Sequence, residues 1–338
     1  MRVGVRKNSG AAGRFFKGWL TLIFSMFLLV AVTPVRAAEK TVPAGRIIID
    51  RATNRIIVKK PCTRIISLYG AHTENLFSLG LDPEIIGVSK KESYPPAVKN
   101  RPVFSYHDDA EKFIAAHPDL VLIRPMIARG YRQLVLKLQK AGILVVSLQP
   151  RSIDEVYAYW RKLGVLTGRE VRAAAMVKGF AEKTQYLNSQ VQDIPISQRK
   201  KVYFEAIHSK MKTFSPSSIA MFALKTAGGI NVARDTAARH GTNIAAYGKE
   251  KILSHAAEID VYLAQRGTMN RVTIATITGE PGFKAIKAVR EKQIYIVDEQ
   301  LVSRPTLRLL QGIFAIGKLL YPEKFKEVNA TAISLDLH

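Results

Sequence analysis

Cysteine is almost absent from this chain: Cys62 is the single example in 338 residues. No internal disulfide can form, although a chain of this size builds a sufficient core without one. There is no G-x-S-x-G elbow, no phosphate-binding glycine loop and no Cys/His nucleophile arrangement, so the common hydrolase and nucleotide-enzyme signatures are missing. The seven histidines form no H-x-H or H-x-x-x-H pair, which leaves a bare zinc site without support. Only two tryptophans are present, Trp19 and Trp160. Acid is scarce, and the formal charge is +24. The basic residues are spread along the chain and do not form one stripe, so nucleic acid is not the expected partner. Anionic ligands or anionic membrane surfaces suit this balance better.

The first 37 residues hold six Lys or Arg and no acid, which leaves the remainder at +18. Arg2, Arg6, Lys7, Arg14 and Lys17 precede the apolar run Trp19 to Val32, and small residues follow at Ala37 and Ala38. This is the pattern of a secretory signal peptide over 1–37, and the run is shorter than the ~20 residues a membrane span needs. The mature chain is expected in the periplasm, beginning near Ala37 or Ala38. No cysteine stands at that point, so the usual lipoprotein attachment is not expected.

About 300 residues remain, enough for two lobes. Arg46 to Val58 reads as a hairpin about the turn-forming Asp50 to Asn54. Arg64 to Ser89 then reads strand, helix, strand, with the helix opening at Thr73-Glu74. Leu120 to Ile123 and Ile143 to Leu148 are further strands, with a helix at Arg129 to Ala141 between them. Ser152 to Glu155 is a capping box. Its helix breaks at Thr167-Gly168, and a second helical stretch of roughly 22 residues runs from Arg169 to about Val191, about 33 Å of rod. Strands at Lys201 to Ile207, Ile259 to Ala264 and Gln293 to Val297 repeat the plan, and a terminal helix spans Pro305 to Tyr321. Alternating strands and helices imply an α/β fold of two Rossmann-like lobes with mainly parallel sheets. The expected division is 38–165 for the N-terminal lobe, 166–198 for the bridging helix and 199–338 for the C-terminal lobe.

One short correspondence relates the halves. Glu111-Lys112-Phe113-Ile114 precedes the strand Asp119 to Leu122, and Glu250-Lys251-Ile252-Leu253 precedes the strand Asp260 to Leu263. Each half therefore has a glutamate on a short helix before an aspartate-led strand.

Several stretches, taken in order, resemble the periplasmic substrate-binding proteins of ABC importers for metal chelates: vitamin B12, ferric siderophores and haem. They are RIISLYGAHTENLFSLGL with EIIGVS, SYPP at Ser93 to Pro96, EKFIAAHPDLVL at Glu111 to Leu122, AGILVV at Ala141 to Val146, AGGINVA at Ala227 to Ala233, and SRPTLRLLQG at Ser303 to Gly312. The resemblance covers about Ile47 to Pro322. It implies a non-enzymatic binding protein whose lobes are joined by one long, rather rigid helix, with no intrinsic cofactor and a transported iron or cobalt chelate as ligand. It implies a monomer that partners a membrane permease and its ATPase. It also implies that Glu111 and Glu250 dock onto arginines of the permease, a charge-assisted contact that can be bidentate.

Ligand is expected beyond the carboxyl ends of the strands. The candidate ligand residues are Tyr69, His72, Lys91, Tyr106, Arg124, Arg129, His208 and Arg304. Tyrosine offers a flat face and a hydroxyl, and arginine offers forked donors and stacking. This inventory leans towards an anionic ferric siderophore over a corrinoid. Positions where the family's B12 binders place aromatics read Lys91, Ser105 and Ala206 here, although SYPP resembles the B12 branch. Direct metal ligation by His72, His107 or His208 is a possibility, with an ordinary hydrogen-bonded histidine the commoner case. Haem binding through Tyr106 is an alternative that lacks the usual accompanying arginine. Others are a chelatase-like tetrapyrrole protein using His107, Glu92 and His208 as proton acceptors, and a periplasmic ligand sensor.

Overall fold

The computed structural model describes residues 46–236 and 242–334. The expected signal peptide over 1–37 and its expected cleavage site lie outside them. The N-terminal lobe opens with a hairpin, β1 (Arg46–Ile49) and β2 (Arg55–Val58), paired antiparallel. Asp50 fixes its turn, accepting from the N–H groups of Ala52 and Asn54, and reaches across to the N–H of Ser147.

The lobe's sheet comprises β3 (Ile65–Ser67), β4 (Ile85–Ser89), β5 (Val103–Phe104), β6 (Leu120–Ile123) and β7 (Leu144–Ser147). All are parallel, in the order β5-β4-β3-β6-β7. Such strands are covered on both faces, and every residue of β6 is buried. The covering helices are α1 (Gly70–Ser78), α2 (Ala110–Ala115), α3 (Pro125–Gly130) and α4 (Arg132–Lys140).

Then come α5 (Ile153–Thr167) and α6 (Glu170–Ser189). Ser152 caps α5, accepting from the N–H of Glu155. The glutamate does not complete the capping box: it accepts from the N–H of Arg151 and pairs with Arg51. Gly168 separates the helices at φ +68°, a left-handed conformation that glycine adopts without strain. At 1.5 Å per residue α6 is about 30 Å long. It carries the chain from one sheet to the other. Trp160 of α5, fully buried, meets the Phe180 ring edge-on at 5.2 Å.

The C-terminal lobe contains β8 (Lys201–Ile207), β9 (Lys212–Phe214), α7 (Ile219–Thr226), β10 (Ile230–Asn231), β11 (Ile244–Ala246), α8 (Lys249–Ser254), β12 (Val261–Arg266), α9 (Ile274–Gly279), α10 (Lys287–Arg290), β13 (Ile294–Asp298), α11 (Glu299–Val302), α12 (Leu309–Leu320) and α13 (Ala330–Ile333). Its sheet runs β11-β9-β8-β12-β13, with β10 also on β8. β9 and β11 are antiparallel, a departure from the parallel repeat expected of the sequence.

The matched aspartates perform one task twice. Asp119 accepts from the N–H groups of Thr63 and Arg64, pinning the start of β3 to β6. Asp260 accepts from the N–H of Lys201, pinning the start of β8 to β12. β3 and β8 are thus equivalent central strands.

Candidate functional site

In the N-terminal sheet the chain moves from β3 to β4 on one side and to β6 on the other. The gap beyond the ends of β3 and β6 is where open α/β sheets receive ligands. Tyr69 follows β3 and Arg124 follows β6, and the guanidinium lies 4.7 Å from the Tyr69 ring centre. Both are half-buried. Burial raises the Tyr69 pKa, so its hydroxyl stays protonated.

α1 begins at Gly70, three residues before the sequence expectation. A side chain there would put Cβ 2.7 Å from Nη1 of Arg304, so glycine lets the C-terminal lobe approach. The early start also corrects the reading of His72 as a ligand residue. Placed in the first helical turn, its ring points inward and is fully buried. Nε2 is 3.2 Å from the Ile123 carbonyl and Nδ1 is 2.7 Å from the Tyr159 hydroxyl. A carbonyl only accepts, so Nε2 carries the proton and Nδ1 accepts from Tyr159. Burial lowers the His72 pKa to about 3, which keeps the ring neutral.

Arg304 is also committed elsewhere. Its Nη1 is 3.3 Å from Oε1 of Glu74, a carboxylate only 3% exposed. Arg308 binds the same carboxylate through Nε at 2.8 Å and Nη2 at 2.6 Å, and stacks on the Tyr94 ring at 4.0 Å. The intervening Pro305 carbonyl accepts from Asn75 and Trp160. Ser303 to Arg308 of the C-terminal lobe is therefore clamped onto α1 and α5. Arg304 and Arg308 share the single negative charge of Glu74, so the cluster keeps one net positive charge, which weakens the argument for an anionic ligand without removing it.

Beyond the end of β5 stands an aromatic group. The Tyr106 ring lies 4.5 Å from His107 and 4.7 Å from Tyr131, and His107 and Tyr131 meet edge-on at 5.0 Å. Tyr131 was missed at the level of sequence because it sits inside a predicted helix. It falls at the junction of α3 and α4. Lys91 and Arg129 are exposed, Lys91 at φ +65°. Glu92 turns inward, accepting from the Ser89 N–H at 2.9 Å, and burial raises its pKa. Ser105 and Ala206, where aromatics were sought, are both buried, so neither decides how a ligand is walled.

His208 follows β8, the equivalent of Tyr69, yet it is 8% exposed and also is not a free ligand residue. Its Nδ1 donates to Glu205 at 2.7 Å, and its Nε2 is 3.6 Å from Glu280. Glu205, fully buried, also accepts from Tyr262 and Asn270. The hydrogen bond to Glu205 raises the His208 pKa. His107, Glu92 and His208 have separate partners, so the proposed trio of proton acceptors does not assemble. Among the described residues no group of three His, Cys, Asp or Glu side chains could hold a metal ion. At the ends of β12 and β13 an open cavity of about 310 Å³ is lined by Arg266, Gly267, Ile296, Val297, Asp298 and Gln300.

Glu111 and Glu250 stand in the first turns of α2 and α8, the helices that precede β6 and β12. Both are exposed, and Glu111 has a long contact to Lys137 at 3.6 Å.

A model described as "Periplasmic binding protein" matches residues 65–301. The chain belongs to this family. The family supplies ABC transporters with substrate-binding proteins and is not one of enzymes, which disposes of the chelatase reading. An uncharacterized ABC transporter substrate-binding lipoprotein of Bacillus subtilis is 28% identical over 301 residues, covering 86% of this chain and 90% of its own. A cobalamin-binding protein of Halobacterium salinarum is 23% identical over 315 residues, covering 88% and 82%. The crystal structure of a possible iron-binding (periplasmic solute-binding) protein of Staphylococcus epidermidis superposes with a TM-score of 0.67 at 27% identity, covering 78% of this chain and 100% of its own. Among the described residues no helix is long and apolar enough to cross a membrane.

Proposed function

We propose that this protein is exported by its N-terminal segment and captures a metal chelate, a corrinoid or a ferric siderophore, between its lobes. It then delivers the chelate to an inner-membrane permease driven by an ATPase. The observation that carries this reading is the Tyr69–Arg124 stack at the switch point of the N-terminal sheet. The Tyr106–His107–Tyr131 group stands on the same edge of that sheet, so flat aromatic surface and forked donors are available together. Such a surface suits a large, rigid ligand. Glu74 offsets one of the two charges of Arg304 and Arg308 and holds both guanidiniums in place, so less free positive charge is left for an anionic siderophore, and a neutral, amide-bearing chelate of the corrinoid kind gains ground. The similarity to a cobalamin-binding relative supports the same direction.

Delivery rests on Glu111 and Glu250. Their aspartate neighbours Asp119 and Asp260 hold the fold, whereas the two glutamates face solvent at equivalent places. Calorimetric titration of the mature chain with cobalamin, haem, a ferric hydroxamate and a ferric catecholate tests the ligand. Binding of cobalamin or the hydroxamate, with the catecholate weaker, is expected. Selective binding of the catecholate overturns the charge argument, and binding of haem alone overturns the ligand class.

A further inference from the structure

The first element of the fold carries an unused apolar face. β1 and β2 direct Ile48, Ile56 and Val58 into the core. The alternation of a strand then sends their neighbours outward. Ile47 is 49% exposed, Ile49 57% and Ile57 54%. Ile47 faces Ile57 directly across the hairpin and Ile49 faces Arg55. The outer face therefore presents three isoleucines in contact range, with Arg55 in line and Lys59 continuing the alternation. These isoleucines are not needed for the core, which the inner face already supplies.

The charges around this face are mostly positive. From residue 46 to residue 60 the cations are Arg46, Arg51, Arg55, Lys59 and Lys60. The single acid in that stretch, Asp50, is 5% exposed and is consumed by the turn. Lys162 adds its ammonium at the edge, donating to the Ile49 carbonyl at 2.7 Å. Glu170 and Glu155 answer Arg46 and Arg51. Arg55, Lys59 and Lys60 form no ion pair among the described residues. An apolar centre rimmed by cations matches the boundary between anionic headgroups and acyl chains. A second copy of this chain fits less well, because it would bring the same cations face to face.

The position in the chain points the same way. Arg46 directly follows residues 1–45, which include the apolar export run Trp19 to Val32. The hairpin is thus the first described element after the segment expected to direct export.

We propose that the outer face of the β1–β2 hairpin rests on an anionic lipid surface, and that Ile47, Ile49 and Ile57 enter its interfacial layer. The contact is reversible: a few interfacial side chains and three unpaired cations give weak attachment. It would keep the unloaded protein near the bilayer.

Flotation of the exported full chain with vesicles tests this. Vesicles of phosphatidylethanolamine with about 30 mol% phosphatidylglycerol are compared with pure phosphatidylcholine. The expected result is binding to the anionic vesicles at least about fivefold above the neutral ones, lost at high salt. Ile47→Gln with Ile57→Gln, and separately Arg55→Gln with Lys59→Gln, should each cut it about fivefold or more. Circular dichroism melts establish that the variants are folded, and the charge pair serves if the isoleucine pair does not fold. Absence of binding to anionic vesicles overturns the proposal. So does binding that neither pair of substitutions changes. Self-association in solution that Ile47→Gln with Ile57→Gln abolishes, without vesicle binding, assigns the face to a second copy instead.

Discussion

Each lobe buries one glutamate and one histidine near the end of its central strand, and the two lobes satisfy them differently. In the C-terminal lobe the pair answers itself: His208 donates to Glu205, with Tyr262 and Asn270 completing the carboxylate. In the N-terminal lobe the two are kept apart. His72 is neutral between Tyr159 and the Ile123 carbonyl, and Glu74 is answered by Arg304 and Arg308 from the other lobe. A buried charge must find a partner. The C-terminal lobe finds it internally, so its charge balance does not depend on where the other lobe sits. The N-terminal lobe finds it only while Ser303 to Arg308 is docked. The same residue types thus make one lobe self-sufficient and turn the other into half of a clamp.

The strongest way to break this comparison is to remove the clamp. Glu74→Ala strands two arginines and should cost about 3–5 kcal/mol in urea denaturation. It should also change the small-angle scattering profile of the free protein. Replacing Glu205 by Gln should destabilise the chain while leaving that profile unchanged.

The two histidines separate by pH. The His72 pKa is about 3 when folded, below the ordinary 6.5. Its contribution is therefore present above pH 6.5 and is lost as pH falls towards 3, at about 1.4 kcal/mol per unit. His208 has the opposite sign. Its folded pKa is raised, so its contribution is complete below pH 6.5 and disappears as pH climbs through the folded value. Denaturation of His72→Gln and His208→Gln from pH 4 to pH 9 reads both. The His72 variant should flatten the acid side of the stability curve, and the His208 variant should lose most stability on that side. Equal behaviour of the two would end the distinction.

A smaller effect is expected at the ligand stack. Arg124→Ala removes an intramolecular cation–π contact of about 0.5–2 kcal/mol, so the melting temperature should fall by a few degrees at most, and chelate affinity should fall as well because a forked donor leaves the proposed ligand surface. The smallest change to the molecule itself is at the exposed glutamates. Charge reversal of Glu111 and Glu250 should alter stability by about 0.5 kcal/mol or less and leave affinity intact, while abolishing uptake in cells. Retained uptake would sharpen the contrast between structural aspartates and functional glutamates into a failure of the latter assignment.

Much of the fold was legible because hydrophobic period and turn residues act locally. The hairpin at Arg46 to Val58, the buried run Leu120 to Ile123 and the break at Gly168 all follow from neighbours in sequence. The doubled aspartate-led strand was legible for the same reason, though its meaning needed the contacts to Thr63, Arg64 and Lys201. The antiparallel β9 and β11 were not, because they are three-residue strands whose pairing is decided by the adjacent β8.

The site was read less well. Tyr69, Tyr106 and Arg124 stand at strand ends as expected. His72 and His208 are instead buried against protein partners, because a three-residue shift of one helix start and a buried partner at Glu205 are invisible in a linear pattern. Arg304 makes a contact across 230 residues, with Glu74, that no local pattern shows. Sequence counts cations, but only packing says which of them are already spent.

The central claim is that ligand lies against Tyr69 between the lobes. It is tested most directly by comparing chelate binding of the mature chain with that of its Tyr69→Ala variant by calorimetry. The account predicts that affinity for the bound chelate falls about tenfold or more, with the melting temperature nearly unchanged. Full affinity in the variant would contradict it and move the ligand away from this cleft.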